Sequence, residues 1–209
     1  MLSEDEIRAL LSPFRLTLSS AQIGQVSTYL ELLMHWNTKI NLTSIRKSEE
    51  CVTRHFGESL YLANFIRLGH RLLDIGSGAG FPGLALRIIL PEQETILLEP
   101  VGKKRAFLKE VARACEFASV DVRPERLAEY VRIHPQPAFN AITSRAVGGL
   151  EELVPLAGKL LAPTGKLVVW LSGAQGKQLR QFEDKWKWAD PVALPLGRDR
   201  QIWIGERFT

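Results

Sequence analysis

Hydrophobic positions along this chain change their period once, near residue 71. Before that point they recur at helical spacing. Ser3-Glu4-Asp5-Glu6 places a capping hydroxyl and three carboxylates at a helix start, and Ser12-Pro13 ends that element. Ile23, Val26, Leu30, Leu33 and Met34 form one stripe and predict a helix from about Ser20 to Trp36. Residues 37–44 are turn-rich, and a third helix is expected over about Glu49 to Ile66. From Arg71 onward short apolar runs alternate with amphipathic stretches. Strands are predicted at Arg71–Ile75, Thr95–Glu99, Ser119–Val122, Phe139–Thr143 and Lys166–Leu171, with two more at Ala189–Leu194 and Gln201–Glu206. Helices are predicted over Leu84–Leu90, Gly102–Ala114, Glu151–Leu161 and Gln178–Trp186. This alternation predicts an α/β fold: a doubly wound, mostly parallel seven-stranded sheet with an antiparallel final strand. Residues 1–66 read as an N-terminal helical extension and 67–209 as the sheet domain.

Composition narrows the class without naming a function. Of 209 residues, 45% are hydrophobic and 24% charged, which excludes a chain that is disordered throughout. No apolar run is long enough to span a membrane. The acidic start lacks the basic region and apolar core of a signal peptide, so a cytoplasmic protein is expected. Cys51 and Cys115 form no CxxC pair and are too few for a disulfide framework. The net charge of +4 arises in the second half, most densely at Lys103, Lys104, Arg105, Lys109 and Arg113. Such a patch attracts polyanions or is simply a solvated helix face.

The strongest chemical signal is Asp74-Ile75-Gly76-Ser77-Gly78-Ala79-Gly80. A strand delivers the chain into a turn whose missing Cβ atoms let a ligand approach the backbone, at the carboxyl end of the first strand where open α/β sheets bind ligands. Glu99 ends the next strand, where its carboxylate can accept protons from both hydroxyls of a ribose. Gly78-Ala79-Gly80-Phe81-Pro82-Gly83 also spells the dinucleotide pattern GxGxxG, with Glu99 at a matching distance. The strand end at Ile75, the position of Pro82 and the lack of a second glycine fingerprint favour the earlier turn, and with it S-adenosylmethionine.

At these residues the chain resembles class I, Rossmann-like S-adenosylmethionine-dependent methyltransferases. More closely, it resembles the ribosomal RNA small subunit methyltransferase G family, also called glucose-inhibited division protein B. The matching segments are Trp36-Asn37, Asn41-Leu42-Thr43, Arg54-His55-Phe56, Asp74 to Gly83, Leu98-Glu99, Gly102-Lys103 and Thr143-Ser144-Arg145-Ala146. The resemblance implies methylation of N7 of a guanine in the decoding-region loop of bacterial 16S rRNA. It implies cofactor contacts from Gly76, Phe81, the backbone at Leu127-Ala128, and Arg145; Asp74, Gly78, Gly80 and Glu99 complete the expected cofactor site. Many relatives carry an acid where Ala128 stands, and Glu129 adjoins it here; relatives often have Asp where Glu99 and Glu58 stand.

The residues can also be asked which methylation they suit. Adenine N6 enzymes of this class carry an Asn/Asp-Pro-Pro-aromatic segment after the fourth strand, where this chain has Thr143-Ser144-Arg145-Ala146. Cytosine C5 chemistry needs a nucleophilic cysteine near the fourth or fifth strand, and neither cysteine lies there. Guanine N7 has a free lone pair and needs no general base, so positioning carries the catalysis. Arg145 is the expected catalytic residue, placed to meet guanine O6, the cofactor carboxylate or an RNA phosphate. Arg54 and His55, with Lys103, Lys104 and Arg105, are the candidate RNA contacts, although His55 on a helix equally reads as a packing residue. Lys166, Arg198 and Arg200 are weaker candidates, and the tryptophans read as packing residues. No metal is expected, since His35, His70 and His134 lack ligand spacing. The expected partner is 16S rRNA or the small ribosomal subunit, met by a monomer without a membrane. Rival readings are a small-molecule methyltransferase of the same fold, a nicotinamide-dependent oxidoreductase, and an RNA-binding module without turnover.

Overall fold

The computed structural model describes residues 2–145 and 149–208. Helices α1 (Glu4–Leu11) and α2 (Ser20–Asn37) each begin with a reciprocal capping box, Ser3 with Glu6 and Ser19 with Gln22. The predicted third helix is present but broken in type. It runs as α3 (Ser48–Cys51), a π-helical segment over Val52–Gly57, α4 (Glu58–Leu60) and a 3₁₀ turn at Tyr61–Asn64. π-helical turns are rare and concentrate at functional sites, and this one carries Arg54 and His55.

Strands β1 (Arg71–Ile75), β2 (Glu94–Leu98), β3 (Val120–Arg123), β4 (Phe139–Arg145) and β5 (Leu161–Ser172) are parallel. β6 (Trp186–Trp188), β7 (Val192–Ala193) and β8 (Arg200–Arg207) are antiparallel additions, and β8 pairs with β5, β6 and β7. The order β3-β2-β1-β4-β5-β8-β6 reverses direction of growth at β1, which places the crevice between β1 and β4 at the switch point where such sheets bind ligands. The connecting helices are α5 (Gly83–Leu86), α6 (Gly102–Ala114), α7 (Leu127–Ile133), α8 (Leu150–Leu160) and α9 (Gly173–Gly176).

Three elements depart from the sequence reading. The sheet has eight strands, not seven, because Trp186 to Trp188 pair with Arg207 to Gly205, where the sequence reading had a helix ending at Trp186. The segment before them is a 3₁₀ run over Lys177–Phe182. The predicted helix over 84–90 is a single turn ending at Leu86, and α7, between β3 and β4, has no counterpart among the predicted elements.

Side-chain alternation explains the layers. Leu72 points to one face of β1 and Leu73 and Ile75 to the other, and the same alternation sorts Val168 from Leu167 and Val169 in β5. α7 and α8 cover the face of Leu73 and Ile75, contributing Leu127, Val131, Leu153 and Val154. Opposite them, the N-terminal helices pack together with α5 and α6: Ile23, Val26, Leu33 and Phe56 join Leu84, Phe107 and Val111 in one apolar cluster. The first helices thus share a core with the sheet helices, and their side chains reach the glycine turn.

Candidate active site

The turn after β1 is built on three glycines with φ of +69° at Gly76, +57° at Gly78 and +86° at Gly80, a region that side chains with a Cβ avoid. Gly83 is different. A Cβ there would come within 2.4 Å of the Asp74 Cβ, so it serves helix–strand packing behind Pro82. The turn is therefore the Gly76-x-Gly78-x-Gly80 set. The backbone N–H groups of Gly76 and Ser77 both donate to Leu98 O at 3.0 Å, tying the turn to the end of β2.

Glu99 follows β2 and is 4% exposed. One carboxylate oxygen accepts from Gly78 N–H and the other from Val101 N–H, both at 2.8 Å. A carboxylate offers about four acceptor positions, so each oxygen keeps one for a ligand hydroxyl. Beside this turn lies a cavity of about 280 Å³, walled by Ile75 and Gly76 at the end of β1, Leu98 and Pro100 at the end of β2, and Leu127 and Ala128 at the start of α7. Gly76, Leu127 and Ala128 line the cavity, while Glu129 is exposed and does not. Glu125, just ahead of α7, does line it.

Asp74 is buried at the end of β1. The Thr143 hydroxyl donates to one of its oxygens at 2.6 Å, across the β1–β4 pair, and the other oxygen has no hydrogen-bond partner among the described residues. Burial pushes its pKa up to about 6, against the opposing pull of the Thr143 bond.

The other half of the site comes from the N-terminal helices. Tyr29, absent from the sequence-derived site, is fully buried and donates from its hydroxyl to Ala79 O at 2.6 Å. A Cβ on Gly80 would collide with the Tyr29 hydroxyl oxygen, so Gly80 is committed to Tyr29 and is not among the residues lining the cavity. The Phe81 ring stacks on Tyr29 at 5.1 Å and on His55 at 4.7 Å, with Phe56 edge-on at 5.0 Å. His55 Nε2 lies 2.8 Å from the Thr43 hydroxyl. Burial, then the positive charges of Arg145, Arg54 and Arg200, hold its pKa down to about 3, so this histidine is neutral at physiological pH. It packs, and it carries no charge toward a phosphate. Tyr29 was findable in the sequence: it sits three residues after Val26 and four before Leu33, on the stripe already recognised.

Around His55 three guanidinium groups gather, and two of them, those of Arg145 and Arg200, meet one fully buried carboxylate. Arg145, at the end of β4, donates from Nη2 to Arg54 O at 2.8 Å and to Glu58 Oε2 at 3.2 Å. Arg200, at the start of β8, pairs with the other oxygen of Glu58, and the Trp170 indole donates to Glu58 O at 3.2 Å. Arg54 bridges to Glu50 at 2.7 Å on the surface. Arg145 Nη1 and the Nε atoms of Arg54 and Arg200 are buried with no partner among the described residues. Burial, moderated by Glu58, lowers the Arg145 pKa to about 10, which leaves it charged. Ala146, the end of the Thr143–Ala146 segment, lies outside the described residues.

The remaining basic candidates divide. Lys103 is exposed and Lys104 half-buried on the first turn of α6. Arg105 instead turns back, donating from Nη1 to Glu99 O and Pro100 O at 3.0 and 2.6 Å, and so braces the loop that holds Glu99. Both cysteines are buried, and burial pushes the thiol of Cys51 up to about 11 and that of Cys115 up to about 12, which leaves neither a ready nucleophile.

A doubly wound sheet with a glycine turn after β1 and an acid after β2 defines the Rossmann-like methyltransferase fold. A solved S-adenosylmethionine-dependent methyltransferase from Aquifex aeolicus superposes with a TM-score of 0.59 at 12% identity, over 77% of this chain and 93% of that one. The chain belongs to the rRNA small subunit methyltransferase G family (GidB), whose sequence profile matches residues 22–196. Among curated relatives, the ribosomal RNA small subunit methyltransferase G of Roseiflexus castenholzii is 41% identical over 78% of this chain and 74% of its own length. Its counterpart from Desulfitobacterium hafniense is 39% identical over 78% of this chain and 67% of its own. No helix among the described residues is long and apolar enough to cross a membrane.

Proposed function

We propose that this protein transfers a methyl group from S-adenosylmethionine to N7 of a guanine in small-subunit ribosomal RNA. The single observation that carries the donor is the seating of Glu99: its carboxylate is fixed by Gly78 and Val101 N–H groups beside a cavity of adenosine dimensions. The residues present fit that group. Gly76, without a Cβ, opens the backbone to the cavity, Glu99 retains acceptor capacity for the ribose, and Leu98, Pro100 and Leu127 offer apolar walls to a purine. Bound S-adenosylmethionine supplies a sulfonium methyl group to the acceptor. In this reading Asp74 underpins the turn, and Gly78 fixes Glu99 through its N–H.

Family membership supports the RNA acceptor, and the guanidinium cluster supports it physically. Arg54, Arg145 and Arg200 present charge in excess of Glu58, with N–H groups left over, next to the Phe81–His55 stack. In this reading Arg145 orients the guanine or an adjoining phosphate while Lys103 and Lys104 meet the RNA backbone. Guanine N7 attacks through its own lone pair, so the neutral His55 and the paired Arg145 need move no proton. Turnover then rests on in-line placement. An internal guanine leaves its stack to reach such a site. We also take residues 1–66 as an extension of the catalytic domain, with the monomer in the cytoplasm as the working unit.

The test is methyl transfer from labelled S-adenosylmethionine to 30S subunits and to bare 16S rRNA, both from cells lacking this enzyme, with digestion to nucleosides. Label in N7-methylguanosine is expected. Cofactor binding without label in either substrate overturns the RNA reading in favour of a small-molecule acceptor.

A further inference from the structure

The turn between β7 and β8 stands on the ligand side of the sheet. β8 runs antiparallel to β5, with Arg200 opposite Ser172 at the end of β5, so residues 194–199 lie beyond the carboxyl rim. Backbone bonds close this turn: Gly197 N–H donates to Leu194 O at 3.1 Å, Arg200 N–H to Gly197 O at 2.8 Å, and Leu194 N–H to Arg200 O at 3.2 Å. A Cβ on Gly197 would lie 2.6 Å from the Leu194 Cβ, so the chain folds this tightly only with glycine there. Asp199 ties the turn to the start of α9, its backbone oxygen accepting from Gly173 N–H at 3.1 Å. What this fixed turn holds out is Leu196, 50% exposed, next to exposed Pro195. Arg198, also exposed, has a φ of +51°, a conformation costly for a residue with a Cβ and concentrated at functional sites.

We infer that Leu196 is an apolar wedge that enters the RNA base stack beside the target guanine and fills the place the guanine leaves. This rests on the RNA reading above. An internal guanine must swing out of its stack to bring N7 to the methyl group, and apolar side chains inserted at base steps offset the lost stacking. A lone exposed leucine means little; three features set this one apart. The first is reach. Leu196 stands four residues before Arg200, which shares Glu58 with Arg145. Four residues span at most about 14 Å when extended, and this turn is closed, so the vacated position lies beside the acceptor cluster. The second is charge. Arg198 flanks the leucine with a cation for the RNA backbone, while the acid of the turn, Asp199, accepts from Gly173 N–H through Oδ1 at 3.3 Å. The third is rigidity. A side chain held out by a bonded turn loses little freedom on insertion, which leaves more of the contact energy to hold the guanine out.

The probe is 16S rRNA, alone or assembled in 30S subunits, carrying 2-aminopurine at the methylated position; its fluorescence rises when the base leaves its stack. With S-adenosylhomocysteine present, the wild type should raise the signal. Leu196→Ala should bind the same RNA within about threefold of wild type yet raise the signal by less than half as much. Single-turnover methylation of the unsubstituted RNA should fall at least about tenfold in Leu196→Ala, and Leu196→Met, which keeps an apolar side chain of similar reach, should restore most of it. Calorimetric affinity for S-adenosylhomocysteine should match wild type in both variants. Ile133→Ala truncates a side chain of similar exposure at the far end of α7 and should change none of these readings. A full signal and wild-type rate in Leu196→Ala, or an equal loss in Ile133→Ala, overturns the wedge and leaves the RNA reading intact. Weakened RNA binding with an undiminished signal makes Leu196 a mere contact and also overturns it. A wild type that methylates neither form of the RNA overturns the RNA reading, and this inference with it.

Discussion

On the cavity side of the site, every group comes from the carboxyl end of a strand or from the loop or first turn after it: Gly76 after β1, Glu99 after β2, Glu125, Leu127 and Ala128 after β3. On the other side, Arg145 is held by a glutamate 87 residues earlier, and Arg200 reaches that same carboxylate across 142 residues. The first half is local geometry, repeated by any strand–turn–helix unit with these residues. The second exists only once the N-terminal helices have docked. Cofactor recognition and acceptor positioning should therefore fail separately, and the largest expected effect lies on the docked side. Glu58→Ala leaves Arg145 and Arg200 buried without their counter-charge. Removing one partner of a buried pair costs about 3–5 kcal/mol. Urea unfolding should show that loss, and the folded fraction should bind S-adenosylhomocysteine while methylating RNA at least about a hundredfold more slowly. A Glu58→Ala protein with wild-type turnover would remove the cluster from the acceptor site.

The converse is Gly78→Arg. A Cβ at Gly78 meets only Gly76 O, at 3.8 Å, so the space outside the turn is open, but its φ of +57° resists a side chain and its N–H anchors Glu99. Binding of S-adenosylhomocysteine should become undetectable by calorimetry, with the thermal transition of the unliganded protein lowered only modestly. A smaller effect, of opposite sign for stability, is expected at Asp74. Its folded pKa is raised to about 6, so the native state holds the proton more tightly than the unfolded chain does. The stability this supplies is full below the ordinary carboxylate range and is lost as pH rises through about 6. At pH 8 the buried charge is a burden. Asp74→Asn removes it and keeps an acceptor for Thr143, although its amide N–H is left unpaired. The unliganded variant should be about 1–2 kcal/mol more stable than wild type at pH 8, and the gain should shrink toward pH 4. Chemical denaturation at the two pH values checks this; a gain that grows on acidification would contradict the sign.

The same division describes what could be read from the sequence. Five parallel strands, the glycine turn and Glu99 announce themselves through short-range pattern: apolar runs, glycines that need positive φ, an acid at a strand end. Eight strands were not legible, because Trp186 reads as the end of a helix and Trp188 as part of a connection until β8 offers them an edge. The single turn of α5 also defied the periodicity, since Ile88 is buried and Ile89 and Leu90 are half-buried without a helical backbone to place them. His55, Gly80 and Arg105 each occupy a position typical of ligand contact, yet each is engaged by a neighbour from elsewhere in the chain or just behind it: Phe81 and Thr43, Tyr29, and the carbonyls of Glu99 and Pro100. Glu58 could not stand out, because nothing near it in sequence shows that two arginines will meet it.

Tyr29 is where the two halves touch, and it offers the finest test of their separation. Its hydroxyl is the only polar atom it carries into the core, and it is satisfied by Ala79 O within the glycine turn. Its ring, stacked with Phe81 and edge-on to Phe56 at 5.1 Å, belongs to the docked helices. Tyr29→Phe keeps the ring and removes the hydroxyl, leaving Ala79 O without that donor and a void the size of one oxygen beneath Gly80. A lost buried hydrogen bond of this kind costs about 1 kcal/mol. If the turn is held chiefly by its own bonds to Leu98 and Glu99, affinity for S-adenosylhomocysteine should change by less than about threefold while stability falls by that amount. A larger loss of affinity, at unchanged stability, would mean that the docked helices set the shape of the cofactor turn, and the two halves could no longer be treated as separable.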